Sequence, residues 1–171
     1  AAKIATGMTL DQIENAITGE TKACFEPTLD YVVTKFPRWP FDKFNLADRT
    51  LGTQMKATGE VMAIDRTMEG SLLKAIRSLE IGLDHIALPK IAHESMEQII
   101  ERLHLVDDER IYVVAEALRR GISVEKIHYI TKIDNWFIEK IKNIVVLEKD
   151  LAANGVTKSN LTMAKRYSMP D

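Results

Sequence analysis

After Asp65 the chain is written in a helical period, and before it the chain is not. Met68, Leu72, Ile76, Leu79 and Leu83 recur at spacings of three and four, which puts them on one stripe of a helix over about Thr67 to Ile81. Similar stripes follow. Met96, Ile99, Ile100 and Leu103 mark a helix starting near Glu94. Ile111, Val114, Ala115 and Leu118 mark one beginning after Asp107, a good N-cap. Val124, Ile127 and Ile130 mark one opening at Ser123. Phe137, Ile141, Ile144, Val145 and Leu151 mark the longest, from about Asp134 to Ala153, closed by Gly155. Thr157 caps a final short helix. None of these segments contains proline, and connections of two to five residues favour consecutive helices as neighbours. The exception is Gly82 to His93, a longer loop holding Pro89.

The segment before Asp65 carries β-branched runs and prolines. Thr9-Leu10-Asp11-Gln12 reads as a capping box opening a short helix that ends near Ile17. Leu29 to Phe36 reads as a strand, stopped by Pro37 and Pro40. Met55–Lys56 and Val61–Ile64 read as two more short strands around Thr58-Gly59, a hairpin-like pair feeding straight into the first long helix. Three strands and one short helix cannot bury their faces alone, so residues 1–65 are expected to be the edge of a sheet that continues elsewhere. The chain begins without Met and mid-pattern, at Ala1-Ala2-Lys3-Ile4-Ala5, which reads as a boundary inside a helix. The expected fold class is mainly α, with residues 66–171 as a helical domain preceded by a small α+β edge over 1–65.

Charge and composition exclude several functions. The net charge is −2, with 7 basic and 9 acidic side chains in residues 1–65 and 16 of each in 66–171, so neither part offers a phosphate-tracking surface. No apolar run is long enough to span a membrane, and the first residues lack the regions of a signal peptide. Cys24 is the single cysteine; it allows no internal disulfide, fits a reducing, cytoplasmic setting, and has no neighbour that would activate it as a nucleophile. His85, His93, His104 and His128 form no i, i+4 metal pair, and the eight glycines are scattered as caps and turns rather than gathered in a phosphate loop. The expectation is therefore no catalytic, cofactor-binding or metal residue in this stretch.

Two features invite binding. Ala117, Gly121 and Ile127 have the spacing of a helix-turn-helix, with Glu125, Lys126, His128 and Tyr129 on the second helix. One Lys against one Glu pulls little on phosphates, and the same spacing serves any tight helix pair. Trp136 and Phe137 beside Asp134 are either a partner anchor or core residues with the indole N–H bonded at the helix start.

The run Phe25-Glu26-Pro27-Thr28-Leu29-Asp30-Tyr31-Val32-Val33-Thr34-Lys35, then Gln54-Met55-Lys56 with Gly59-Glu60-Val61-Met62-Ala63-Ile64, then Ile133-Asp134-Asn135-Trp136-Phe137, resembles the carbamoyl-phosphate synthetase large subunit in the family's order. The resemblance implies that residues 1–65 are the C-terminal edge of the carboxyphosphate-forming ATP-grasp domain and 66–171 the helical oligomerisation domain. It implies a parent ligase that makes carbamoyl phosphate from bicarbonate, glutamine-derived ammonia and two ATP, serving arginine or pyrimidine biosynthesis. The parent would depend on ATP and Mg or Mn, held by residues upstream of Ala1, so that the fragment alone is inactive. The implied partners are the remaining domains of the large subunit, the glutaminase small subunit and further copies of the chain; neither nucleic acid nor membrane is implied. Where the family commonly has glycine after Val-Met-Ala-Ile, this chain has Asp65. The residues alone leave a second reading open, an independent helical adaptor or helix-turn-helix DNA-binding module. The candidate self-association surface is the apolar loop with Leu83, Ile86, Leu88 and Ile91, which is expected either to meet a partner or to pack on its own helices.

Overall fold

The computed structural model describes residues 1–44 and 46–170. The chain forms two compact units, Ala1–Asp30 and Tyr31–Asp171.

The first unit is built of turns. Its helix is the single turn α1 (Ala2–Ala5). The helix expected from Thr9 to Ile17 does not form. Half of its capping box is present, since the Thr9 N–H donates to Gln12 Oε1 at 3.2 Å. The chain then turns instead, with Asn15 Oδ1 accepting from the N–H groups of Ile17 and Thr18 and Gly19 at φ +68°. An isolated helix of two turns is marginal without an apolar face to bury, and Ile17, its last expected apolar residue, is 95% exposed.

The second unit opens with an antiparallel pair, β1 (Val32–Arg38) and β2 (Gly59–Asp65), running in register from Val32 opposite Asp65 to Arg38 opposite Gly59. Met55–Lys56 is not a strand, so the expected hairpin around Thr58-Gly59 is replaced by a pairing across the connection 39–58. Lys56 is occupied otherwise: its Nζ donates to the carbonyl oxygens of Asp48 (2.9 Å) and Thr50 (2.6 Å) and closes that loop. Pro37 lies inside β1, opposite Glu60, rather than ending it. Both members of a two-stranded sheet are edge strands, where a missing N–H is tolerated. Alternation puts Thr34, Phe36, Val61 and Ala63 on the covered face, while Val33, Met62 and Ile64 stay exposed on the other.

The covered face lies on α2 (Met68–Ser78), capped by Thr67 Oγ1, which accepts from the Gly70 N–H at 3.0 Å. The predicted stripe understates its burial. Leu73 and Ala75 are as buried as Leu72 and Ile76, and Ser71 is fully enclosed between Thr34 Oγ1 (2.6 Å) and the Ala63 carbonyl oxygen (3.2 Å). Glu69, 3% exposed, accepts from Asn143 Nδ2 at 2.7 Å. Asp65 has no left-handed backbone; it serves as a tie instead. Its carboxylate accepts from the Arg66 N–H (2.6 Å) and Ser168 Oγ (2.8 Å) and pairs with Lys74 (2.7 Å). It also overhangs Gly70, where an added Cβ would stand 2.8 Å from Asp65 Cγ and 2.9 Å from Thr67 Oγ1.

The remaining helices are α3 (Met96–Leu103), α4 (Arg110–Arg119), α5 (Val124–Thr131), α6 (Asn135–Asn154) and α7 (Lys158–Arg166). Ser123, Asp134 and Thr157 cap α5, α6 and α7 as expected. Asp107 stands two residues before the N-cap position of α4, Glu109, and accepts the Glu109 N–H at 3.0 Å. The phase of α6 differs from the prediction: Ile138 is fully buried with Ile141, Ile144 and Val145, while Phe137 is 47% exposed and Leu151 half-buried. The core runs through α2, α3, α4, α5 and α6. The chain is thus mainly α with a small two-stranded β edge. No helix among the described residues is long and apolar enough to cross a membrane.

Candidate association surface

The loop after α2 is held far more firmly than its lack of helical pattern suggests. It contains a 3₁₀ turn at Pro89–His93, started by the proline. Ile86 and Ile91 are buried to 0% and 1% exposure in the core of their own chain. Leu83 and Leu88 are half-buried and line the wall of a cleft of about 520 Å³ with Phe36, Trp39 and Tyr112. Of the four candidate side chains, these two reach an accessible cleft.

Arginines at the end of α4 do the holding. Arg119 Nη2 donates to the Ile86 carbonyl oxygen at 2.9 Å, and Arg120 Nη2 donates to the carbonyl oxygens of Ile91 (3.2 Å) and Ala92 (3.1 Å). The helix C-terminus favours cations in general, but these two are spent on specific backbone acceptors of the loop. Arg119 also grips Glu148 of α6 through Nε (2.8 Å) and Nη2 (2.9 Å), and the same carboxylate meets His85 Nε2. Burial pushes the His85 imidazole below its ordinary pKa; Glu148 opposes that shift, and Arg119 and Arg77 add to it.

A second network closes the far wall. Glu109, 8% exposed, accepts from Lys90 Nζ (2.6 Å) and Arg102 Nη2 (2.6 Å) and is in contact with Arg49 Nη2. Arg49 forks onto Asp108 through Nε (2.9 Å) and Nη2 (2.7 Å), and Arg102 reaches Glu94 at 2.7 Å. Burial pushes the Glu109 carboxyl up, but hydrogen bonds from Lys90 and Arg102, with the charges of Lys90 and Arg49, outweigh it and hold it below the usual range. Burial and the nearby Asp108 and Glu109 raise the Tyr112 phenol to about 12, so it stays neutral. Neither network was visible in the sequence. Asp107-Asp108-Glu109-Arg110 reads there only as a helix start.

The other sequence candidates fall elsewhere. Ala117 and Ile127 are fully buried and Gly121 takes φ +84°, so this spacing locks α4 onto α5. Glu125 and Lys126 are exposed, and Lys132 stacks its ammonium 4.6 Å from the Tyr129 ring. Trp136 and Phe137 form an edge-on pair with centroids 5.0 Å apart, both about half exposed, so the indole is not core. His128 Nδ1 lies 2.7 Å from the Ile133 carbonyl oxygen, and Cys24 is exposed. Among the described residues, His, Cys, Asp and Glu nowhere gather in threes that could hold a metal ion.

A family model for the carbamoyl-phosphate synthetase large chain, oligomerisation domain, matches residues 60–171. Across all 171 residues the chain is 57% identical to the carbamoyl phosphate synthase large chain of Lachnoclostridium phytofermentans. It is 53% identical to that of Caldanaerobacter subterraneus subsp. tengcongensis and 52% to that of a Thermoanaerobacter species, again over its whole length. In each case the chain spans 16% of the relative's length.

Proposed function

The chain belongs to the carbamoyl-phosphate synthetase large-chain family, and from that premise we propose that it is the assembly segment of a ligase making carbamoyl phosphate from bicarbonate, glutamine-derived ammonia and two ATP. The observation that carries this reading is the match of residues 60–171 to the family's oligomerisation domain. The start of that match supports a domain boundary near residue 65, with residues 1–65 as the end of the preceding ATP-grasp domain. The exposed face of Val33, Met62 and Ile64 suits a surface on which the rest of that domain packs. ATP and its Mg or Mn would be held by other parts of the parent; among the described residues no three His, Cys, Asp or Glu side chains gather to hold a metal ion. The partners are the other domains of the large subunit, the glutaminase small subunit and further copies of the parent, in the cytoplasm.

Self-association is assigned to the cleft wall formed by Leu83 and Leu88, most simply as a two-fold contact in which each copy offers the same surface. Leu88→Glu puts a charge on that wall. The full-length parent carrying it is expected to sediment as smaller species than the unsubstituted parent, while the 171-residue chain keeps its helical circular dichroism and melting temperature. An unchanged sedimentation profile sinks the assignment. Unfolding of the short chain would make Leu88 a core residue instead.

A further inference from the structure

A second groove, of about 350 Å³, opens where α4, α6 and the β-pair meet. Its walls are apolar: Trp39, Met68, Ile111, Val114, Ile133 and Phe137 all face it. Arg110 also lines it, and Arg110 stands apart from the other arginines of α4. Arg119 and Arg120 each pair with a glutamate. Among the described residues Arg110 donates to a neutral acceptor, the Thr131 carbonyl oxygen, 2.8 Å from Nη2. Its Nε is buried and has no hydrogen-bond partner.

The other charges at this groove are committed. Lys35 pairs with Glu60 at 2.5 Å and Lys140 lies 3.7 Å from Glu69. Asp108 is held by Arg49, and Asp107 accepts the Glu109 N–H. Asp107 is close enough to act on the Arg110 guanidinium through its charge, but burial outweighs it and pulls the guanidinium below its ordinary pKa. A buried donor atom left without a partner is costly. Pockets of a few hundred Å³ with apolar walls and one or two oriented polar groups are the usual form of small-ligand sites.

We propose that this groove binds a small carboxylate with an apolar body, the body against Trp39, Met68 and Phe137 and the carboxylate on Arg110. The guanidinium supplies the charge-assisted hydrogen bond, and the apolar walls supply the rest of the affinity.

The test uses the 171-residue chain with Trp136→Phe, which leaves Trp39 as the only tryptophan and places the reporter in the groove. Octanoate is titrated against 1-octanol and octylammonium, probes of the same chain length with different heads. The expected result is a saturable change in Trp39 emission with octanoate, with octanol weaker by about tenfold or more, as a hydrogen bond to a charged group implies, and octylammonium weaker still. Arg110→Gln is expected to bring octanoate and octanol to within about twofold of each other, the lost bond being the same one. Equal binding of octanoate and octanol to the unsubstituted groove would overturn the proposal, as would no saturable response to octanoate. A preference for octanoate that survives Arg110→Gln in a chain of unchanged circular dichroism would overturn it too. If Arg110→Gln does not fold, the three-probe comparison on the Trp136→Phe chain decides alone.

Discussion

Ile138→Ala is expected to lower the unfolding free energy by about 2–5 kcal/mol, the range for emptying a closed aliphatic site, while Phe137→Ala changes it by less than about 1 kcal/mol. The two residues are adjacent at the start of α6, and phenylalanine is the larger. Size alone would reverse the order. Exposure decides it: Ile138 is fully buried, whereas Phe137 is 47% exposed and rests its edge on Trp136, itself half exposed. Cutting back Ile138 leaves a hole that Ile141, Ile144 and Val145 cannot close without moving the helix, because interiors are packed at crystal density. Urea denaturation of the two single variants, with equal m-values, measures the difference. A larger loss for Phe137→Ala would mean that α6 is rotated from the phase described.

Glu109→Gln is expected to cost about 2–3 kcal/mol at neutral pH, somewhat below the 3–5 typical of breaking a buried ion pair from one side. Three cations share this carboxylate: Lys90, Arg102 and Arg49. Arg102 is the most enclosed, and it keeps Glu94. Lys90 and Arg49 are substantially exposed and recover hydration when the charge is removed, which lowers the loss. The sign of the pH dependence follows from the depressed carboxyl pKa. The unfolded chain binds a proton at Glu109 near pH 4.5, and the folded chain does so only lower. Stability from this group is therefore complete above about pH 4.5 and declines as the pH falls through the folded-state value. The Gln variant lacks this contribution, so the two stability curves should converge toward acid. Curves that stay parallel from pH 7 to pH 3 would show that Glu109 is not the hub.

What could be read in the sequence was local. Ser123, Asp134 and Thr157 announce helix starts because a cap is satisfied within three residues, and all three cap as expected. The pairing of Val32–Arg38 with Gly59–Asp65 was not legible, since its partners are separated by the connection 39–58, and a tight Thr58-Gly59 turn looked like the nearer solution. The phase of α6 was missed for a related reason: Phe137 and Ile138 each start a three-and-four series through Ile141 and Val145, and only the neighbouring helices choose between them. In the loop from Gly82 to His93, apolar content was visible, but its split was not. Ile86 and Ile91 go inward because Arg119 and Arg120 reach across from α4 to hold the backbone there. Thr9-Leu10-Asp11-Gln12 shows the converse, a correct local signal with no surface to pack on.

Asp65 and Gly70 are coupled by their geometry. With the carboxylate overhanging position 70, even one methyl there collides at 2.8 Å with a side chain already tethered to Lys74 and Ser168. Two of the three close contacts come from that carboxylate; the third, Thr67 Oγ1 at 2.9 Å, does not. Substitutions at the two sites are therefore coupled rather than independent. Asp65→Gly leaves alanine at 70 facing only the Thr67 hydroxyl, whereas alanine at 70 with Asp65 in place meets both side chains. The cost of a side chain at position 70 depends on residue 65 as well as on Thr67, so a tolerance map measured on a relative with glycine at position 65 does not transfer to this chain at position 70.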